Sequence, residues 1–119
     1  MRIKNPKAKG SNFERIVKKM IQKQEPDTEI FRSPASLGSA DLIAISPFPC
    51  DDLVVSFVRL IQCKYLKKYM SKKETVKLLD DAKRLGADAF LAYREKPRGK
   101  IVFDQLWPEV IPKISWLKS

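Results

Sequence analysis

Apolar residues recur at Phe13, Ile16, Val17, Met20 and Ile21, the i, i+3, i+4, i+7, i+8 spacing that draws one stripe along a helix. Lys18, Lys19 and Gln22 fall on the opposite side, and Glu14 borders the stripe. Ser11 or Asn12 can cap this helix, Glu14 suits its positive N-terminal end, and Pro26 stops it. A short strand follows over Thr28–Arg32, then a loop rich in Ser, Pro and Gly over Ser33–Ser39. Asp41–Ile45 reads as a buried strand, residues 47–52 as a turn marked by Pro47, Pro49, Asp51 and Asp52, and Leu53–Lys64 as a long apolar strand. The last two runs predict a hairpin. Ser71-Lys72-Lys73-Glu74 has the S-x-x-E form of a capping box, and the helix after it presents Val76, Leu79, Ala82 and Leu85, with Gly86 to close it. Strands over Ala89–Tyr93 and Ile101–Phe103 flank a basic turn, Arg94–Lys100, and an apolar tail runs from Leu106 to Leu117. The order α-β-β-β-α-β-β predicts a mixed α/β domain. Residues 1–10, basic and without acid, read as a flexible arm, and 11–119 as one domain.

Composition narrows the chemistry. There are 24 Lys and Arg against 14 Asp and Glu, a formal charge of +10, and no His. That balance points to a polyanionic partner, nucleic acid first. Without His, a Ser-His-Asp triad, a Cys-His pair and a His-ligated zinc are excluded. Cys50 and Cys63 are not a CxxC pair and read as reduced packing residues. Neither a GxxxxGK[ST] nor a GxGxxG loop occurs. No apolar run is long enough to span a membrane and no signal-like stretch opens the chain, so a cytoplasmic protein is expected.

Polar residues interrupt the apolar strands at chosen places. Side chains alternate along a strand, so Gln62 and Lys64 share a face with Cys63 opposite. In a hairpin, the start of the first strand meets the end of the second, which brings Asp41 beside Gln62 and Lys64 at one edge of the sheet. A carboxylate, an amide oxygen and an ammonium in one cluster suit metal-assisted phosphodiester hydrolysis. Mg²⁺ takes hard oxygen ligands, commonly one or two carboxylates completed by water and phosphate. Glu14 can add a second carboxylate, Lys64 can orient water or stabilise the transition state, and Arg32 can clamp a phosphate. Each of these residues alone has an ordinary reading as a strand end, a solvated charge or a helix N-terminal acid.

Four stretches taken together carry a resemblance: Lys9-Gly10-Ser11-Asn12-Phe13-Glu14-Arg15, Phe31-Arg32-Ser33-Pro34-Ala35-Ser36, Ala40-Asp41-Leu42-Ile43-Ala44 and Ile61-Gln62-Cys63-Lys64. In order and spacing the sequence resembles the archaeal Holliday-junction resolvase family of the restriction-endonuclease-like, PD-(D/E)xK superfamily, over roughly residues 9–95. The resemblance implies a five-stranded mixed sheet flanked by helices and a homodimer that cuts four-way DNA junctions with Mg²⁺, or Mn²⁺ as a substitute. It assigns Asp41, Gln62 and Glu14 to the metal and Lys64 to the role of catalytic lysine. Ser36 is set near the scissile phosphate, with Ser39 as the fallback, and Arg15 and Arg32 on phosphate. Lys9, Lys67 and Lys68 belong to the basic DNA-facing surface. Two positions depart from the family pattern. Ala40 stands where the family has Pro, and Gln62 where it usually has Glu, which removes one negative charge from the site. The rival expectations are a branched-DNA-binding protein of the same fold that has lost catalysis, and a nuclease for another DNA substrate.

Overall fold

In a computed structural model, residues 6–33 and 39–108 are described, with side chains from Asn12 onward. The chain forms α1 (Pro6–Gln24), β1 (Glu29–Arg32), β2 (Leu42–Cys50), β3 (Leu53–Leu66), a single 3₁₀ turn at Lys67–Tyr69, α2 (Lys72–Leu85), β4 (Asp88–Arg94) and β5 (Ile101–Trp107). The strands make one five-stranded sheet in chain order. All neighbours run antiparallel except β3 and β4, which are parallel and joined through α2. This is the mixed α/β domain that the pattern predicted, with the five-stranded mixed sheet that the resemblance implies.

The two sheet faces carry separate cores. Phe13, Val17 and Ile21 of α1 pack on Ile30, Leu42, Ala44, Ile61 and Ala92. Leu78 and Ala82 of α2 pack on the other face against Ala40, Leu60, Ala87 and Ala89. Val17, Leu42, Ile61, Leu78 and Leu91 are fully enclosed, and burial of a side chain of that size stabilises the fold by about 1.5–3 kcal/mol. Among the described residues, no helix is long and apolar enough to cross a membrane.

Four expectations are corrected. α1 begins at Pro6 rather than at Ser11 or Asn12, so residues 6–10 continue the helix; proline's fixed φ suits a first helical position. Its buried stripe is narrower than the spacing suggested: Phe13, Val17 and Ile21 are enclosed while Ile16 is 43% exposed. On α2 the buried face is Leu78, Asp81 and Ala82, while Val76 and Leu85 are exposed. Steps of three fall about 60° short of a full turn each time, so Val76, Leu79, Ala82 and Leu85 fan around the helix instead of lining it. Finally, Pro47 and Pro49 lie inside β2, and the hairpin turns only at Asp51 and Asp52, with Asp51 at φ 53°. β1 pairs with β2 no further than Ile45, so both prolines occupy an edge where a missing N–H costs no ladder bond.

The capping box and Gly86 hold as expected. Ser71 Oγ accepts from Glu74 N–H, the Glu74 carboxylate accepts from Ser71 N–H, and Gly86 closes α2 at φ 69°. Gly99 is required in the β4–β5 turn, because a Cβ there would stand 2.9 Å from the Lys96 carbonyl oxygen.

Candidate active site

Pairing of β2 with β3 sets Leu42 opposite Ile61, so Asp41 arrives beside the segment Gln62–Lys64. Asp41 N–H donates to the Ile61 carbonyl at 2.9 Å, which fixes the backbone of the junction. The Asp41 side chain then accepts two hydrogen bonds on Oδ2, from Cys63 N–H at 2.7 Å and from Gln62 Nε2 at 3.0 Å. Gln62 is buried, and the Cys63 side chain packs with the α1-side core on the opposite face. The alternation argument therefore gave the correct faces.

Burial pushes the Asp41 carboxyl up to about 6, against the hydrogen bond from Cys63 N–H. The Glu14 and Glu74 charges push it up further, and the Lys64 charge opposes them. These four groups thus share one electrostatic neighbourhood. Burial and the Asp41 charge drive the Cys63 thiol well above its ordinary range, which makes it a poor nucleophile or soft metal ligand.

Lys64 sits where β3 gains one residue relative to β4: Cys63 pairs with Ala92, but Leu66 pairs with Arg94. Such bulges re-aim side chains beside sites. Its Nζ donates to Glu74 Oε2 at 2.6 Å. Partial burial pushes the Glu74 carboxyl up, but the hydrogen bonds from Lys64 and the Ser71 N–H hold it below its ordinary value. Glu74 was legible in the sequence only as a helix cap. Two turns further along α2, the buried Asp81 accepts from Ser39 Oγ, two residues before Asp41, and is flanked by Lys77 and Arg84. Ser39 therefore ties the backbone immediately before Asp41 to α2. Ser36 lies outside the described residues, as does the Lys9 side chain.

Glu14 projects from the α1 side and accepts from Arg32 at 3.0 Å. A cleft of about 140 Å³ is lined by Glu14, Arg15, Lys18, Arg32 and Leu42. A second, of about 290 Å³, is lined by Ser39, Gln62, Lys73, Glu74 and Lys77. Cationic side chains thus flank the Asp41 neighbourhood on both sheet faces. Arg15 is exposed and reaches Asn12 at 3.5 Å. Lys67 pairs with Asp104 and lies over the Tyr93 ring, and Lys68 lies over the exposed Tyr69. Tyr65 is a packing residue, edge-on to Phe13. Within the basic turn Arg94 is occupied, donating to the Gly99 carbonyl and stacking on Phe13.

Among the described residues, no three His, Cys, Asp or Glu side chains converge on one point. The oxygen donors near Asp41 are few and hard. That donor set excludes a zinc-type site of several Cys or His ligands and suits an ion that keeps much of its water shell.

Comparisons with known proteins follow the same line. The structure is similar to that of Hjc from Archaeoglobus fulgidus, a Holliday junction resolvase from an archaeal hyperthermophile, with a TM-score of 0.58 at 21% identity, over 82% of this chain and 73% of that one. No curated protein matches the sequence. The model of the family described as archaeal Holliday junction resolvase (Hjc) matches residues 5–108. The chain belongs to the archaeal Holliday junction resolvase family, a family of structure-selective DNA endonucleases.

Proposed function

We propose that this resolvase-family chain hydrolyses DNA strands at four-way junctions with Mg²⁺, Mn²⁺ serving as a substitute, and that it acts as a homodimer in the cytoplasm. The observation that carries the reading is the meeting of Asp41, Gln62 and the Lys64 segment at one strand junction. A buried carboxylate whose pKa is raised by desolvation gains most from a cation. Asp41, the Gln62 amide oxygen and Glu14 would hold the ion. When bound, it supplies Lewis-acid chemistry, acidifying a water and screening charge on the phosphate.

The chain's own side chains do the rest. Arg32 and Arg15 neutralise the phosphate, Arg32 exchanging Glu14 for a phosphate oxygen. Lys64 hydrogen-bonds to the attacking water or to a phosphate oxygen in the transition state. Ser36 belongs beside the scissile phosphate, and Lys9, Lys67 and Lys68 along the flanking strands. The water oxygen bonds to phosphorus as the P–O ester bond breaks; the attacking water gives up a proton to solvent and the departing strand oxygen takes one up. The dimer partner would cover the apolar end of the β2–β3 ribbon, where Phe48, Leu53, Val55 and Phe57 are 47–70% exposed.

The test is cleavage of an end-labelled four-way junction beside linear duplex, with and without Mg²⁺, with Asp41→Asn as control. Junction-selective, metal-dependent products that vanish in the variant support the reading; an intact junction in both Mg²⁺ and Mn²⁺ sinks it. A second reading follows from Gln62, whose neutral amide donates from Nε2 to Asp41 and brings no negative charge to the site. Binding without cutting would then show as salt-sensitive junction affinity with no products in any divalent ion.

A further inference from the structure

Helix α2 touches the site at two points, seven residues apart and therefore on one face. Asp81 accepts from Ser39, two residues before Asp41, and Glu74 accepts from Lys64, two residues after Gln62. The first contact fixes the helix relative to Asp41, and the second fixes Lys64 relative to the helix. Glu74 itself has little freedom. Oε1 is held by Ser71 N–H at 3.0 Å in the capping box, which leaves Oε2 aimed at the ammonium 2.6 Å away.

Charge gives this contact a second meaning. With a neutral Gln62, the Lys64 ammonium cancels one of the two carboxylates, Asp41 and Glu14, and Glu14 is itself paired with Arg32, so little net charge is left to attract a divalent cation. Glu74, ion-paired with Lys64 at 2.6 Å, offsets that ammonium and leaves the group net negative. We propose that Glu74 is a positioning residue for this centre: it holds the Lys64 ammonium in place and contributes the negative charge that Gln62 lacks. The inference rests on the proposed nuclease reading for its rate arm but not for its metal arm.

Glu74→Gln separates this role from helix capping. A glutamine at that position of a capping box still accepts from the Ser71 N–H, but it turns an amide donor toward Lys64. The full chain is compared with E74Q and with Q62E/E74Q by melting temperature, Mn²⁺ titration calorimetry without DNA, and single-turnover cutting of a labelled four-way junction. E74Q is expected to keep the wild-type melting temperature and metal-free junction affinity. Its Mn²⁺ affinity and its cutting rate should each fall about tenfold to a hundredfold. Q62E/E74Q is expected to recover the Mn²⁺ affinity, because the charge has returned, while remaining slow, because Lys64 is still released. Wild-type Mn²⁺ affinity and rate in E74Q overturn the proposal. So does an E74Q that melts early and whose Mn²⁺ affinity Q62E does not restore, which would mark a folding defect. A wild-type chain that binds Mn²⁺ but cuts no junction removes the nuclease reading, and the calorimetry still judges Glu74. A wild-type chain that binds no Mn²⁺ overturns both.

Discussion

Gln62 donates from Nε2 to Asp41 Oδ2 at 3.0 Å, so in the absence of metal the amide stabilises the ionised carboxylate beside it. A glutamate at this position would do the opposite. Gln62→Glu is therefore expected to lower the melting temperature of the metal-free chain at pH 8, where two carboxylates confront each other, and much less at pH 5. With metal the sign reverses: a second anionic ligand should lower the half-saturating Mg²⁺ concentration for junction cutting by about tenfold. A titration midpoint identical to wild type would take position 62 out of the metal set.

Asp41 is held in the fold at a cost. Its carboxyl titrates at about 6, pushed up chiefly by burial, whereas an unfolded aspartate titrates near about 4. The protonated form favours folding, so its contribution is complete below the unfolded value and is lost as pH rises through about 6. Asp41→Asn keeps an acceptor for Cys63 N–H and Gln62 while removing the charge. At pH 8 without metal the variant should be more stable than wild type, by an amount of order 1–3 kcal/mol, and the difference should vanish near pH 4. Cutting should be abolished while junction binding persists. Equal denaturant midpoints at pH 8, or retained turnover, would contradict this.

The same ionisation should shape the pH–rate profile. A carboxylate must be ionised to hold a cation, so at subsaturating Mg²⁺ the cutting rate should climb through pH 6 and level off above it. Saturating metal favours the ionised form and should move the rising limb to lower pH. A profile flat from pH 5 to pH 8 at low Mg²⁺ would show that Asp41 ionisation does not govern the step.

Much of this was legible in the chain. Element order, the α2 capping box and the shared face of Gln62 and Lys64 follow from alternation and helical spacing, which depend only on local geometry. What escaped depended on partners distant in sequence. The Cys63 N–H that holds Asp41 is a backbone donor with no side-chain signature. Glu74 looked complete as a cap, and nothing local reveals that its second oxygen faces Lys64. Asp81 is charged yet buried, because Ser39, Lys77 and Arg84 satisfy it; a periodicity rule that counts acids as solvent-facing shifts the helix face accordingly. Pro47 and Pro49 look like a turn until β1 is seen to stop short of them.

The basic surface should act mainly through phosphates, so junction affinity should fall steeply with salt. If six cations neutralise phosphates, log affinity against log salt should have a slope of about −5. Lys67 is tied to Asp104 and Lys68 is exposed over Tyr69, so Lys68→Ala should flatten that slope by about one unit, and Lys67→Ala by less. A slope shallower than about −2 would mean that the positive charge is not what holds the junction.

The β2–β3 ribbon runs past the end of β1, and its far half packs on nothing within the described chain. Ser46 faces Phe57, Phe48 faces Val55 and Cys50 faces Leu53, so one ribbon face presents Phe48, Leu53, Val55 and Phe57 together. Leu53 and Phe48 are 70% and 61% exposed. Because these side chains contribute little to the monomer core, Leu53→Asp and Phe48→Asp should leave the melting transition of the isolated fold nearly unchanged. In a dimer sealed by this face each would bury an unpaired carboxylate, and removal of a central apolar anchor alone costs about tenfold or more in affinity. Sedimentation velocity across a concentration series should therefore show a well-folded monomer where wild type is dimeric. A variant that dimerises as wild type would move the interface elsewhere, with the half-buried Trp107 end of β5, beneath Lys83, as the next surface to substitute.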